Sequence, residues 1–409
     1  MANASLSTVI SIRPTDNLFC FYSAVGHDKS SLNLTTKSYK SRLFDDGFFD
    51  EFSGCLCEYA AANPSYTGKA ANITVLVPNH CVTTDCFNMP GVSRMKYANL
   101  LKVTCESRYA NLKDLKINKF ITAQNKQFTT VSISMIRQKL IQSIYTVCST
   151  NNMFADVITF EGNASVNGAI ALYNRLKNDS FVLLDVKENR SSISYVVKGT
   201  TLGCFDLPFG WSMLDSEKLV SENMLFDHSV AELAVLNAKE KAKAKALTMS
   251  CGDAAELAEQ MVADMEANGE EVEESDEAFF DNPAMRARQL QQIKTLPKKM
   301  PRILPKWMQR PIPEDEDGIL YENFRVFEKW VLEFIRCNSK LTAIAQPNTV
   351  YVNMPDRYSS VFAYLNSAEN GNSVKFASLG IEREKEIITS NLELYGGLFS
   401  GRYNQKNNF

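Results

Sequence analysis

Three sets of side chains in this sequence could do chemistry. Cys55 and Cys57, one residue apart, and His80, Cys81 and Cys86 a little further on, are zinc-ligand types. Neither spacing is that of a recognised zinc pair, so buried or idle thiols are the plainer reading. Histidines, the usual general bases for a Ser or Cys nucleophile, stand at His27, His80 and His228, with no triad-like partner pattern. The third set is a basic block at 286–310, with eight Lys and Arg, no acid, and Trp307 among them. Such a block could meet nucleic acid or acidic lipid. Beside it lies 253–281, with twelve acids and no base, which can neutralise it within the chain. The expected reading of 235–318 is a charged flexible insertion, because alternating charge blocks bury too little apolar surface to fold alone.

Composition narrows the classes. The chain has 409 residues, 45% hydrophobic and 22% charged, with a net charge of −3. That allows a sizeable core and gives no global positive field for nucleic acid. Ten cysteines in such a length do not make a disulfide framework. The start has no basic region followed by an apolar run, and no stretch approaches a membrane span of ~20 apolar residues. A reduced, cytoplasmic protein is expected.

The elements that must position these residues come in a repeated order. Residues 7–23 alternate as two strands around a turn at 14–17. Apolar residues near helical spacing follow over 38–62, and 73–77 is a compact strand ending at Pro78. Strands at 82–90, 116–124 and 128–136 flank a helix at 93–109. An amphipathic helix covers 137–149, a strand 157–160 and a helix 165–176. A second β-rich unit opens at Phe181 with strands to about 211, joined by a turn near 198–200. The recurrence of the strand order near 10 and 181 hints at internal duplication. A strong helix is expected at 321–339, a strand at 349–352, a helix at 359–367, and a last helix or turn at 391–399 before a polar tail.

This order resembles the actin-like superfamily, and within it the PilM family of type IV pilus assembly and its relative FtsA. The segments that carry the likeness are ANITVLVPNHCVTTDCFNMPG, residues 129–172, FVLLDVKENRSSISYVVKGTTLGCFDLPFGW, LYENFRVFEKWVLEFIRCNSK and TVYVNMPDRYSSVFAYLN. The resemblance implies an α/β, two-lobed actin-like fold of the duplicated ribonuclease-H-like kind, with a small inserted subdomain. It divides the chain into a first lobe at 1–81 and 156–178, the inserted subdomain at 82–155, a second lobe at 179–234 and 319–390, and a C-terminal segment at 391–409.

In that superfamily ATP lies between the lobes, with Gly-rich turns presenting backbone N–H groups to phosphate. Here Ser11 stands at the family Asp of the first hairpin and Arg13 at its Gly. Asp185 matches the second hairpin's Asp, Lys187 replaces its Gly, and Ser191 matches a Thr. Asn353, Met354 and Pro355 replace three glycines of the adenosine turn, while Arg357, Tyr364 and Leu365 match. If nucleotide binds, Arg13, Asp185, Lys187, Ser191 and Arg357 are the residues to hold it. The lost glycines point instead to a degenerate site without effective ATPase activity, with no cofactor and no metal. The resemblance further implies a scaffold at the inner face of the membrane. It would receive the cytoplasmic tail of a PilN-type inner-membrane protein beside the inserted subdomain, and oligomers are open to it. Two alternatives stay open: an FtsA-like division or cytoskeletal protein, and an ATP-dependent enzyme of the sugar-kinase branch. The tail SGRYNQKNNF has no apolar face for a membrane helix, which counts against the first.

Overall fold

The computed structural model describes residues 6–214 except 27–28, 91–93, 110–111 and 125–126. From 323 onward it describes a subset that includes 331–332, 337–345, 349–355, 375–379 and 390–409. The charged stretch 235–318, Trp307, Arg357, Tyr364, Leu365 and the helix expected at 359–367 lie outside the described residues. The chain divides into two compact units, Met1–Met213 with Phe327–Phe409, and Leu214–Val326. In the second, Asn323 Nδ2 donates to the Leu214 carbonyl at 2.8 Å.

The larger unit holds two five-stranded sheets built to one plan. In the first, β1 (Leu6–Arg13), β2 (Leu18–Val25), β3 (Asn33–Ser38), β4 (Asn72–Val77) and β8 (Ala155–Phe160) lie in the order β3-β2-β1-β4-β8. In the second, β9 (Phe181–Val186), β10 (Ser191–Val197), β11 (Thr200–Leu207), β12 (Thr349–Asn353) and β13 (Lys375–Ser378) lie in the order β11-β10-β9-β12-β13. The first three strands of each are antiparallel and the last two add in parallel to the central strand. The duplication hinted at by the sequence is therefore present strand for strand.

Strand alternation sorts the cores. Ile10, Ile12, Phe19 and Phe21 face outward onto α1 (Asp46–Ala62) and α3 (Gln138–Thr150), which bring Phe48, Phe52, Leu56, Ile141 and Ile144. The α1 anchors recur at helical spacing, and Asp45 caps the helix by accepting from Phe48 N–H at 2.8 Å, a contact worth about 1 kcal/mol. On the other face, Val9, Tyr22 and Leu76 of the first sheet and Phe181 and Leu183 of the second share one core with two helices. These are α4 (Glu161–Leu172) and α6 (Leu392–Gly397). They cross so closely that a Cβ on Gly396 would sit 1.8 Å from the Ala164 carbonyl oxygen. Beyond the second sheet, α5 (Ser339–Ala345) packs beside β10, and Phe205 meets Phe334 edge-on at 5.3 Å.

A three-stranded sheet, β5 (Val82–Pro90), β6 (Leu115–Gln124) and β7 (Phe128–Arg137), is inserted between β4 and α3 in the order β5-β7-β6. One face is covered by α2 (Arg94–Arg108), whose Leu101 and Cys105 meet Phe87, Met89, Val131, Ile133 and Met135.

Three local readings shift. The helix suggested from 38 opens only at Asp46, and before it lies a strand that the sequence does not suggest, β3 (NLTTKS). Its polar, largely exposed residues suit an edge strand, which needs no apolar row. Helix α4 begins at Glu161 rather than 165. The third shift concerns the polar tail. Ser400 and Asn407 are buried, and asparagine amides tie the tail in. Asn404 Nδ2 donates to Asn167 Oδ1 at 2.8 Å, and Asn407 Nδ2 to the Thr201 carbonyl at 2.9 Å. Asn118 Nδ2 donates to the Asn408 carbonyl at 2.6 Å, and Phe409 N–H to the Ile158 carbonyl at 2.7 Å. Asparagine carries both a donor and an acceptor, so a polar segment can be buried with most of its amide groups paired; Asn408 Oδ1 has no partner among the described residues.

Candidate functional site

Period-two geometry explains why the candidate residues meet. On β1, the row facing α4 and α6 runs Val9, Ser11, Arg13. On β9 the matching row is Phe181, Leu183, Asp185, and the first residue past the strand on that face is Lys187. Ser11 and Asp185 are thus equivalent in the two halves, and so are Arg13 and Lys187. Between them stands Glu393 of α6, fully buried, and both cations bind it: Arg13 Nη2 to Oε1, Lys187 Nζ to Oε2. Arg13 Nη2 also donates to Asn391 Oδ1 at 2.6 Å. Its Nε, also buried, has no acceptor among the described residues.

A second buried carboxylate closes the other side. Glu161, at the start of α4, takes Arg190 from the β9–β10 turn at 2.9 Å and accepts from Ser11 Oγ at 3.4 Å. Asp185 accepts from Asn353 Nδ2 and from Ser165 Oγ, both at 2.8 Å, with Lys187 Nζ 3.9 Å away. Ser191 spends its hydroxyl on the Phe209 carbonyl at 2.7 Å. The turn backbone is also engaged: Lys187 N–H donates to the Arg190 carbonyl at 2.8 Å, and Trp211 N–H to the Lys187 carbonyl at 2.9 Å.

The electrostatics follow from burial and pairing. Burial alone would raise Glu393, but the charges of Lys187 and Arg13 outweigh it and hold the carboxyl at about 2. Glu161 goes the other way. Its burial raises it, and Arg190 offsets this only in part. Arg13 and Arg190 are held more firmly protonated by the carboxylates they face, against the opposing effect of burial. Burial pushes the nearby Cys20 thiol up to about 11, and Cys81 and Cys148 to about 12.

Of the five residues singled out in the sequence, the structure brings Arg13, Asp185 and Lys187 into one network and puts Ser191 at its edge. Arg357 lies outside the described residues. Sequence reasoning missed Glu161, Arg190, Asn391 and Glu393. The available signal was an acid set in an apolar run, in FEGNA and again in LELYGGLF.

Among the described residues this network leaves little free charge or space for a nucleotide. Arg13 and Lys187, two of the candidates to meet phosphate, are already paired with Glu393. The cavity lined by Glu161, Ser165, Asp185, Lys187, Arg190, Ser191 and Ser192 measures about 10 Å³, on the order of one water molecule. At the third turn Met354 is buried, and Pro355, which has no N–H, follows it. Among the described residues no group of three or more His, Cys, Asp or Glu could hold a metal ion. None of their helices is long and apolar enough to cross a membrane.

No protein-family profile matches the sequence, and no curated protein matches it by sequence. Solved structures do. A "PilM-PilN type IV pilus biogenesis complex" aligns over 97% of this chain and 98% of its own, at 10% identity and a TM-score of 0.48. MreB 5 of Spiroplasma citri bound to AMPPNP aligns over 98% and 97%, at 9% identity and 0.37. The cytoplasmic domain of EpsL, from the type II secretion system of Vibrio cholerae, aligns over 51% of this chain and 74% of its own, at 8% identity and 0.35. The strand order carries the assignment by itself. Two five-stranded sheets of identical order flank a shared helical layer, with a small sheet inserted after β4, and this is the two-lobed actin-like fold.

Proposed function

We propose that this protein is a nucleotide-independent scaffold of the actin-like fold, working by binding another protein rather than by turnover. The observation that carries the reading is Glu393 seated between Arg13 and Lys187. An anion from the chain itself takes the place, between the two hairpins, where an actin-like protein would receive phosphate. A fold whose lobes are joined by an internal carboxylate needs no ligand to hold them together. What remains for function is surface.

The partner we propose is the cytoplasmic tail of a membrane protein of the PilN type, met at the cytoplasmic face and docked on the inserted subdomain. What supports the location is exposure. The large apolar side chains that stay exposed among the described residues are Val103 (60%), Ile121 (41%) and Phe128 (38%), and all three belong to this subdomain. Three exposed apolar side chains in one small module offer contacts to a partner.

Calorimetric titration with Mg·ATP, with phosphate release followed in parallel, tests the reading. We expect no saturable heat and no turnover. Tight binding with turnover would return the protein to the ATP-dependent enzymes and make Asp185 and Lys187 the residues to mutate.

A further inference from the structure

The inserted subdomain has a charge unlike that of the whole chain. Between 82 and 137 there are nine Lys and Arg against three Asp and Glu, a net of +6 in a chain of net −3. Two of the acids are near basic groups: Lys102 lies 3.9 Å from Glu106, and Arg108 3.8 Å from Asp85. Lys113, Lys116, Lys119 and Arg137 are exposed and form no ion pair among the described residues.

The two outer strands of this small sheet differ. β5 lies against β11, whose Cys204 N–H donates to Thr84 Oγ1 at 3.4 Å. β6 pairs with β7 on one side, and no described strand pairs with the other. An edge strand of this kind presents a row of backbone donors and acceptors that a further strand can complete. Along it, Lys119 and Ile121 project to one face and Lys116 to the other, just before the irregularity between Ile121 and Ala123. The lysines act on choice of partner. A second copy of β6 would bring lysine to lysine and is disfavoured, whereas an acidic strand is favoured at the same positions.

We propose that the outer edge of β6 is a strand-addition site for an extended acidic segment of a partner protein. The proposal rests on the scaffold reading and names the chemistry of its partner. The segment carries two carboxylates three positions apart, opposite Lys116 and Lys119, and an apolar side chain two positions further on, beside Ile121. Main-chain hydrogen bonds supply most of the affinity, and the charge pairs and Ile121 set the register.

The test uses the full chain and a fluorescent peptide of about ten residues, the usual reach of a strand. The peptide is made of valine and threonine, with two glutamates three positions apart and a leucine two further on. A matched peptide has lysine in place of glutamate. The glutamate peptide is expected to bind, more weakly as salt rises, and to protect the β6 amides from hydrogen exchange; the lysine peptide is not. The double variant Lys116→Glu with Lys119→Glu, both exposed, is expected to fold as the parent by circular dichroism and to bind at least about tenfold more weakly. No binding, equal binding of both peptides, or a double variant that binds like the parent overturns the proposal. Protection elsewhere in the subdomain overturns this edge but leaves the scaffold reading standing. The Mg·ATP titration, read separately, decides that reading on its own.

Discussion

The space between the two hairpins and the inserted subdomain use charge in opposite ways. Around Glu393 and Glu161, buried carboxylates and part-buried cations satisfy one another within the chain. On β6, Lys116 and Lys119 stay exposed, with no ion pair among the described residues, beside an exposed Ile121. A buried ion pair is costly to break, because removing one partner strands the other without water. An exposed charge contributes little to stability and is free to meet a partner. The same residue types therefore serve to fix the fold in one place and to recognise in the other.

The largest effect expected follows from breaking the buried side of this contrast. Glu393→Gln takes from Arg13 and Lys187 the carboxylate that binds both, leaving Lys187 only Asp185 at 3.9 Å, and should cost about 3–5 kcal/mol. Urea unfolding of the variant against the parent measures it. A loss under about 1 kcal/mol would place the network among weak surface pairs and undo the comparison.

Acid should act on the same carboxylate. The folded Glu393 carboxyl sits at about 2, below the ordinary 4.5. A depressed folded value means stability that is present above about pH 4.5 and lost as pH falls toward 2, on the order of 3 kcal/mol. Glu161 works with the opposite sign. Its folded value is raised, so its contribution is fullest at low pH and declines as pH rises through the carboxylate range. Denaturation curves across pH 2–7 should show a net loss on the acid side that Glu393→Gln removes. An unchanged acid slope in that variant would mean another carboxylate carries it.

The parts of the fold legible in the sequence are those with one dominant local signal. FVLLDV is a buried strand and reads as one; β10 and β11 turn at Lys198–Gly199, where positive φ suits the glycine. Strand β3 hid because an edge strand needs no apolar row. The candidate site was half legible. Arg13, Asp185 and Lys187 stand at the hairpin ends of β1 and β9, whose spacing can be matched, whereas Glu161 and Glu393 are defined by what surrounds them in space. Each is a single acid, and only the fold shows that Glu393 lies between Arg13 and Lys187 and that Glu161 meets Arg190. The tail misled for a similar reason, since SGRYNQKNNF reads as solvated until its asparagines find partners in β6, α4 and β11.

A smaller effect should come from the helix crossing that holds Glu393 in place. A Cβ on Gly396 would lie 1.8 Å from the Ala164 carbonyl oxygen and 2.5 Å from the Gly168 nitrogen, all backbone that cannot rotate away. Gly396→Ala should push α6 off α4 and cost about 1–3 kcal/mol as an overpacked contact. Thermal unfolding reads the loss. Because α6 carries Glu393, the acid slope should weaken as well, which Gly54→Ala, with open space around its Cβ, should not reproduce.

The smallest stability effect sharpens the other side of the contrast. Ile121 is 41% exposed on the edge strand and Val103 60% exposed on α2. Replacing either with serine should change unfolding free energy by less than about 0.5 kcal/mol, the usual range for an exposed site. The two should separate in binding. Ile121→Ser removes the apolar contact that fixes the register of an added strand, so peptide affinity should fall while stability holds. Val103→Ser, on α2 rather than on β6, should leave that affinity unchanged. If the two variants bind alike, the exposed apolar residues act as one broad patch rather than as an edge with a register. If Ile121→Ser unfolds the subdomain, its exposure conceals a structural role, and the division between buried charges that hold and exposed residues that recognise fails at the residue where it is most specific.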